Sequence, residues 1–171
     1  MAEITRLCLT GPESTGKTAL ASWLAEELRT VWVPEYARDY ALARNNELTA
    51  EDVEMIARGV IESTEQLAPG ANGILILDTD LISTVVYARY YYGDCPAWIV
   101  EEARARRADL YLLLDTDLPW HPDPVRDAGG DDREDLFDLF RRALDEFDAR
   151  WEIISGDEGA RRAKALQLIG R

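Results

Sequence analysis

Short apolar runs alternate along the chain with longer stretches in which apolar positions recur every three or four residues. The runs have the length and the continuous apolar character of strands that are buried on both faces of a parallel sheet. The longer stretches have the period of amphipathic helices. This pattern predicts strands at residues 4–10, 31–33, 73–78, 109–114 and 151–155. It predicts helices at residues 17–29, 37–44, 49–68, 81–92, 97–107, 133–148 and 160–169.

Strands that alternate with helices predict an α/β fold with a parallel sheet and right-handed crossovers. Ligands of such sheets bind beyond the carboxyl ends of the strands, so the residues that follow each strand are the first candidates for a site. Residues 117–132 are rich in proline, glycine and aspartate and are predicted to form a loop. The length of 171 residues fits one domain, which we expect to span residues 1–171.

The turn after the first strand reads GPESTGKT, which matches the pattern of Gly, four residues, and Gly-Lys-Ser/Thr. A strand precedes it and a helix begins at Lys17, which is the context in which this pattern binds phosphate; a chance match is the alternative. Main-chain N–H groups at a helix N-terminus attract an anion. We expect Lys17 to reach the β- and γ-phosphates and Thr18 to hold Mg²⁺. The expected nucleotide-binding residues are Gly11, Glu13, Ser14, Thr15, Gly16, Lys17 and Thr18.

Two carboxylates stand at the end of the third predicted strand. Asp78 follows four apolar residues, which is typical of the strand that supplies a Mg²⁺ ligand beside the phosphate loop. Asp80 suits the cap of the helix that begins near Leu81 better than Asp78 does. We therefore expect Thr18 and Asp78 to be the metal ligands.

A third carboxylate, Glu35, follows the second predicted strand. It lies three residues before Arg38, so the two side chains share one face of a helical turn. At this edge of the sheet, Glu35 is a candidate to accept the proton of an attacking hydroxyl, and Asp80 is the second choice. A surface ion pair between Glu35 and Arg38 is the alternative.

The predicted loop carries Arg126, and Arg133 follows it. In phosphoryl transfer, a lid with arginines neutralises charge on the transferred group and excludes water. We therefore expect a lid at residues 117–133, with an ordinary solvated loop as the alternative.

Aromatic residues cluster at the end of the fourth predicted helix. Tyr87 and Trp98 stand at helical spacing and are expected to pack in the core. Tyr92 or Tyr91, and Trp120 in the loop, are candidates for stacking on the ring of a substrate.

Composition limits the partners. The net charge is −14, from 19 basic and 33 acidic residues, which argues against nucleic acid and against an anionic membrane surface. Two cysteines give neither a disulfide framework nor a zinc spacing. The first residues show no signal-peptide pattern, so we expect a cytoplasmic protein with a small-molecule substrate. The oligomeric state is left open.

Several motifs, taken in order, resemble one family: the nicotinamide riboside kinase domain at the C-terminus of bacterial NadR-type NAD regulators. The similarity spans nearly the whole chain. The segments that carry it are residues 11–18, Glu35-Tyr36-Ala37-Arg38, Asp78-Thr79-Asp80, Pro119-Trp120 and residues 126–133.

The resemblance implies a P-loop kinase fold with strand order 2-3-1-4-5 and ATP-dependent phosphorylation of the ribose 5′-hydroxyl of nicotinamide riboside. The catalytic residues that it favours are Lys17, Glu35, Arg38, Asp78, Arg126 and Arg133. The favoured substrate-binding residues are Glu35, Tyr36, Asp80, Tyr92 and Trp120. A kinase for another nucleoside or small molecule, or a regulatory protein that binds and hydrolyses ATP, is the alternative.

Overall fold

The computed structural model describes residues 4–119, 121 and 131–171. In this part of the chain, five parallel strands form one sheet in the order β2-β3-β1-β4-β5, so the predicted fold class and strand order are confirmed. The central strands are almost entirely buried, as their continuous apolar sequences predict. The bounds of the strands are β1 Thr5–Thr10, β2 Trp32–Val33, β3 Ile74–Asp78, β4 Leu110–Leu114 and β5 Trp151–Ile154.

The helices follow the predicted pattern with small shifts at their ends. Their bounds are α1 Lys17–Glu27, α2 Tyr36–Ala43, α3 Asp52–Leu67, α4 Leu81–Tyr92, α5 Ala97–Ala105, α6 Asp131–Glu146 and α7 Glu158–Leu168. Helix α3 begins three residues later than predicted, because the chain first makes a turn in which the carboxylate of Asp52 accepts a hydrogen bond from the Thr49 N–H at 2.8 Å. A short 3₁₀ turn, Ala68–Gly70, ends the helix at the predicted proline and glycine.

The sheet separates two apolar cores. Helices α1 and α7 pack on one face, where they bury Leu7 and Leu9 of β1. Helices α3 to α6 contribute to the core on the opposite face, which also includes Cys8 of the same strand. Alternate residues of one strand therefore serve the two cores, as the period of a strand requires. No helix within the described ranges is long and apolar enough to cross a membrane.

Strand register brings the candidate residues to one edge. Leu9 in β1 lies opposite Asp78 in β3, and Val33 in β2 lies opposite Leu77. The residues that follow β1, β2 and β3 are thus neighbours at the carboxyl edge, which is where ligands of open α/β sheets bind.

Candidate functional site

The loop after β1 bends through conformations that favour glycine. Gly11 has φ of +127° and Gly16 has φ of +83°, and both lie in the region that side chains rarely adopt. A Cβ on Gly11 would also stand 3.0 Å from the carbonyl oxygen of Leu114 in β4. The two glycines of the motif are therefore required by this backbone path, which leads directly into the N-terminus of α1.

Lys17 is buried inside this loop. Its Nζ donates hydrogen bonds to the carbonyl oxygens of Gly11 at 2.9 Å and Pro12 at 2.5 Å. The Thr15 hydroxyl donates to the same Pro12 carbonyl at 2.8 Å. The ammonium group thus lies beside the loop backbone at the N-terminus of α1, where an anion is favoured.

Thr18 and Asp78 are brought together as predicted. The Thr18 hydroxyl donates to Asp78 Oδ2 at 2.5 Å, and Asp78 is only 1% exposed. A hydroxyl beside a carboxylate is a donor set that fits Mg²⁺, which takes few protein ligands and completes its shell with water and phosphate oxygens. No group of three or more His, Cys, Asp or Glu that could hold a metal occurs in the described part of the chain.

Asp80 has a structural role. Its Oδ1 accepts the Ile82 N–H at 3.0 Å as the cap of α4, and its Oδ2 accepts the Tyr111 hydroxyl at 2.5 Å. Tyr111 lies opposite Cys8, three residues before the phosphate loop begins, so Asp80 faces the core beneath the site. Burial raises the pKa of Asp80 to about 6. The predicted cap is found, and protein donors contact both carboxylate oxygens. The roles of Asp80 as a substrate ligand or alternative base stay predictions.

Glu35 and Tyr36 lie at the start of α2, beside the loop. Glu35 is buried and directly follows β2 at the carboxyl edge. The Tyr36 ring lies against Gly59 of α3, so closely that a Cβ on Gly59 would stand 2.1 Å from two ring atoms. The Tyr40 hydroxyl donates to Asp52 Oδ1 at 2.8 Å, which further joins α2 to α3. We call helices α2, α3 and α4, together with Glu35, the acceptor side.

Two other predicted residues also belong to helices of the acceptor side. Arg38 is half-buried on α2. Tyr92 is partly exposed at the end of α4, where burial, and in second place the charge of Asp52, raise the pKa of its hydroxyl. Trp120 and Arg126 lie outside the described residues.

Two buried arginines hold the loop from the other side. Arg133 donates to the carbonyl oxygens of Ser14 at 3.3 Å, Thr116 at 2.5 Å and Leu118 at 2.8 Å. The structure thus brings Arg133 to the phosphate loop, as predicted, but its donors contact main-chain oxygens. Its expected action on phosphoryl charge stays a prediction.

Arg161 in α7 is the second of these arginines and is 3% exposed. It donates to the carbonyl oxygens of Thr15 at 2.7 Å, Gly156 at 2.8 Å and Asp115 at 3.2 Å, and it also contacts Asp117. We call this region, formed by β4, β5, α7 and the arginines, the nucleotide side. No sequence pattern indicates this role of Arg161, because 146 residues separate it from Thr15.

Glu13 points to the acceptor side. It is 3% exposed, and its Oε2 accepts the hydroxyl of Tyr87 in α4 at 3.0 Å. The Tyr87 ring packs edge-on against Phe140 of α6, with centroids 5.6 Å apart. The prediction that Tyr87 packs in the core is correct for its ring, but the contact of its hydroxyl with the loop was missed.

Comparison with known proteins agrees with this geometry. The chain is 27% identical over 169 residues to the trifunctional NAD biosynthesis/regulator protein NadR of Escherichia coli (strain K12), which covers 95% of this chain and 41% of NadR. Two crystal structures of NadR protein, one in complex with NR and one with NAD and AMP-PNP, match at a TM-score of 0.74 and 28% identity. They cover 97% of this chain and 50% and 48% of the NadR chains.

This chain therefore spans about half the length, or less, of the NadR proteins that it matches. Thymidylate kinase from Ehrlichia chaffeensis shares the fold, with a TM-score of 0.69 at 15% identity over 96% of this chain and 98% of the kinase. A protein-family model described as an AAA domain matches residues 6–162. Together with the phosphate loop and the strand order, this match shows that the chain is a P-loop protein of the AAA domain family.

Proposed function

We propose that this protein is an ATP-dependent kinase that phosphorylates the 5′-hydroxyl of nicotinamide riboside and so forms nicotinamide mononucleotide. The observation that carries the proposal is the structural match of 97% of the chain to NadR in complex with NR, which we take to be nicotinamide riboside. The second NadR structure, with AMP-PNP, supports ATP as the phosphoryl donor. We place the reaction in the cytoplasm and assign it to one domain at residues 1–171.

The loop and Lys17 bind the triphosphate in this proposal. Incoming phosphate oxygens replace the carbonyls of Gly11 and Pro12 as partners of the Lys17 ammonium. Thr18 and Asp78 would hold Mg²⁺, which, when bound, supplies positive charge next to the β- and γ-phosphates. Positioning and electrostatic stabilisation then provide most of the rate enhancement.

Glu35 is the proposed base. It is buried at the carboxyl edge, one strand away from Asp78, and its carboxylate accepts the proton of the attacking hydroxyl. Arg38, one turn later on α2, is proposed to stabilise charge on the transferred group. Tyr36 and Tyr92 are proposed to line the pocket for the riboside.

A lid at residues 117–133 completes the proposal. Arg126 and Arg133 neutralise phosphoryl charge in it, and Trp120 stacks on the substrate ring. Arg133 already contacts Ser14 of the phosphate loop, which supports a connection between the two segments. For this role, one of its donors must exchange a carbonyl for a phosphate oxygen.

The test is a coupled assay of ADP release with Mg²⁺ and ATP, with and without nicotinamide riboside and across a panel of nucleosides. The proposal predicts ADP release that depends on nicotinamide riboside. Release that no acceptor changes would instead identify a regulatory ATP-hydrolysing protein, and release that another nucleoside alone stimulates would identify a different kinase.

The role of Glu35 has its own test. We expect Glu35→Gln to lower kcat roughly 100-fold or more, with a smaller change in KM, because the amide cannot accept the proton. Steady-state kinetics over a range of riboside concentrations measures both values. A loss confined to KM would assign Glu35 to binding alone.

A further inference from the structure

We propose that Glu13 is the residue of the phosphate loop that binds the acceptor. Its Oε1 accepts a hydrogen bond from a sugar hydroxyl of the riboside, and Tyr87 holds the carboxylate in place for this contact. The inference rests on the proposed function and deepens it, because the sequence pattern alone groups Glu13 with the residues that bind the nucleotide.

The charge of Glu13 is the first reason. The loop surrounds the place where a triphosphate binds, and a carboxylate there repels phosphate oxygens. A glutamate side chain is an acceptor when ionised and has nothing to donate to a phosphate. The carboxylate of Glu13 therefore does not serve as a phosphate ligand, although its main-chain N–H can, and the presence of this side chain in the loop needs another explanation.

The second reason is a buried oxygen that lacks a donor. Glu13 is 3% exposed, yet its Oε1 accepts no hydrogen bond from any described residue, whereas its Oε2 has the Tyr87 hydroxyl at 3.0 Å. Buried polar atoms of native proteins almost always have a partner, so an oxygen of this kind indicates a missing donor. Because a carboxylate accepts only, the missing partner must carry an N–H or an O–H.

The direction of the side chain is the third reason. The next two loop residues, Ser14 and Thr15, bind Arg133 and Arg161 of the nucleotide side through their carbonyl oxygens. Glu13 instead reaches Tyr87 on α4, and α4 belongs to the core face that also contains α3. Thr15 and Glu13 thus contact helices on opposite faces of the sheet, α7 and α4. Helix α4 shares its face with α3, against which the Tyr36 ring lies.

A sugar hydroxyl of the acceptor meets these conditions. The acceptor must place its reacting hydroxyl next to the γ-phosphate, so the ribose of a riboside comes closest to the loop. Its remaining hydroxyl groups are donors of the kind that a fixed carboxylate binds. Tyr87 is a positioning residue in this arrangement, because it fixes one carboxylate oxygen and leaves the other for substrate.

The experiment measures nicotinamide riboside binding by calorimetry in the presence of a non-hydrolysable ATP analogue, together with both KM values. We expect Glu13→Ala to weaken riboside binding roughly 10- to 100-fold, and Glu13→Gln to weaken it less, because a neutral amide oxygen still accepts. KM for ATP should stay unchanged or fall, since a negative charge leaves the loop. Analogues of the riboside that lack the 2′- or the 3′-hydroxyl should bind the wild type more weakly than the riboside does. The Glu13→Ala variant should bind such an analogue as well as it binds the riboside.

Tyr87→Phe tests the positioning role and keeps the ring. We expect it to weaken riboside binding about threefold to tenfold without changing KM for ATP. Tyr90→Phe makes the same chemical change in α4 on a residue that lies beside Leu139 and Arg142, and it should leave both KM values as in the wild type. Tyr87→Phe also keeps the inference testable if Glu13→Ala does not fold, as judged by circular dichroism.

The outcomes separate the inference from the function on which it rests. A wild type that neither binds nicotinamide riboside nor releases ADP in its presence overturns both. If the wild type is active but Glu13→Ala raises only KM for ATP, or binds riboside normally, the role of Glu13 alone is overturned. An equal effect of Tyr87→Phe and Tyr90→Phe on riboside binding would also contradict the role of Tyr87.

Discussion

The two sides of the phosphate loop are built from different kinds of contact. On the nucleotide side, Arg133 and Arg161 bind the loop through main-chain carbonyl oxygens. On the acceptor side, contacts join side chains to one another, as between Tyr87 and Glu13 or between Tyr40 and Asp52. One side holds the loop backbone in place, and the other joins side chains of the loop and of neighbouring helices.

Under the proposed function, this difference lets one site combine a common reaction with a particular substrate. Main-chain groups bind phosphates in any sequence that allows the loop conformation, so the nucleotide side depends on a short motif. A pocket for an acceptor depends on which side chains meet from α2, α3 and α4. Substitutions on the two sides should therefore separate the kinetic constants for ATP from those for the acceptor.

The largest effect is expected at Lys17, which lies inside the loop that both sides border. Lys17→Ala should lower kcat on the order of 1,000-fold or more, because the ammonium stabilises phosphoryl charge in the transition state. Lys164→Ala is the matched control, since Lys164 lies on α7 and is the other lysine of the chain. Steady-state kinetics and a melting curve measure the result. Near-wild-type turnover in a folded Lys17→Ala variant would contradict the site.

Arg161 tests the nucleotide side alone. Arg161→Lys keeps the charge but loses the planar fork that reaches the carbonyls of Thr15 and Gly156. We expect KM for ATP to rise about tenfold or more, because a misplaced loop weakens phosphate binding. The same change at the neighbouring Arg162, which pairs with Glu158, should have little effect. An equal rise in KM for the riboside would remove the distinction between the sides.

Gly59 tests the acceptor side alone. Gly59→Ala must displace the Tyr36 ring, so KM for the riboside should rise about tenfold while KM for ATP stays constant. A double-mutant cycle with Tyr36→Ala checks the cause. In the Tyr36→Ala background, Gly59→Ala should no longer affect KM and should stabilise α3 by up to about 1 kcal/mol. The same KM change in both backgrounds would exclude an action through Tyr36.

Asp80 should have the smallest effect on kinetics, because it lies beneath both sides. Its pKa is raised from 3.8 to about 6 by burial, so the folded state holds the proton more tightly than the unfolded state. The contribution of Asp80 to the free energy of unfolding is complete below about pH 4 and is lost as the pH rises through about 6. The total change is on the order of 2–3 kcal/mol.

The measurement compares urea unfolding of the wild type and Asp80→Asn across that range. The free energy of unfolding of the wild type, relative to Asp80→Asn, should fall as the pH rises, because the amide does not titrate. A constant difference between the two proteins would show that Asp80 does not titrate with a raised pKa.

The sequence predicts most of the nucleotide side and less of the acceptor side. The loop, its helix and Asp78 follow from local patterns, because strand period and glycine spacing are written in neighbouring residues. Asp80 shows the limit of this reasoning: the local pattern predicts its cap of α4, but not that Tyr111, 31 residues away, donates to its second oxygen.

Long-range contacts account for the other omissions. Gly59 in the middle of α3 is a local signal of a close contact. Glycine is unfavourable inside a helix, so its presence suggests that another residue packs against it. Nothing in the sequence says that this is the Tyr36 ring. The hydroxyl of Tyr87 meets Glu13 across 74 residues, so its helical spacing predicted only the packing of its ring.

The most direct test of the account is the stoichiometry of the reaction. The protein is incubated with ATP, Mg²⁺ and nicotinamide riboside, and ADP and nicotinamide mononucleotide are quantified by chromatography, with Lys17→Ala in parallel. We expect equal amounts of the two products from the wild type and almost none from Lys17→Ala. ADP formed without nicotinamide mononucleotide would contradict it.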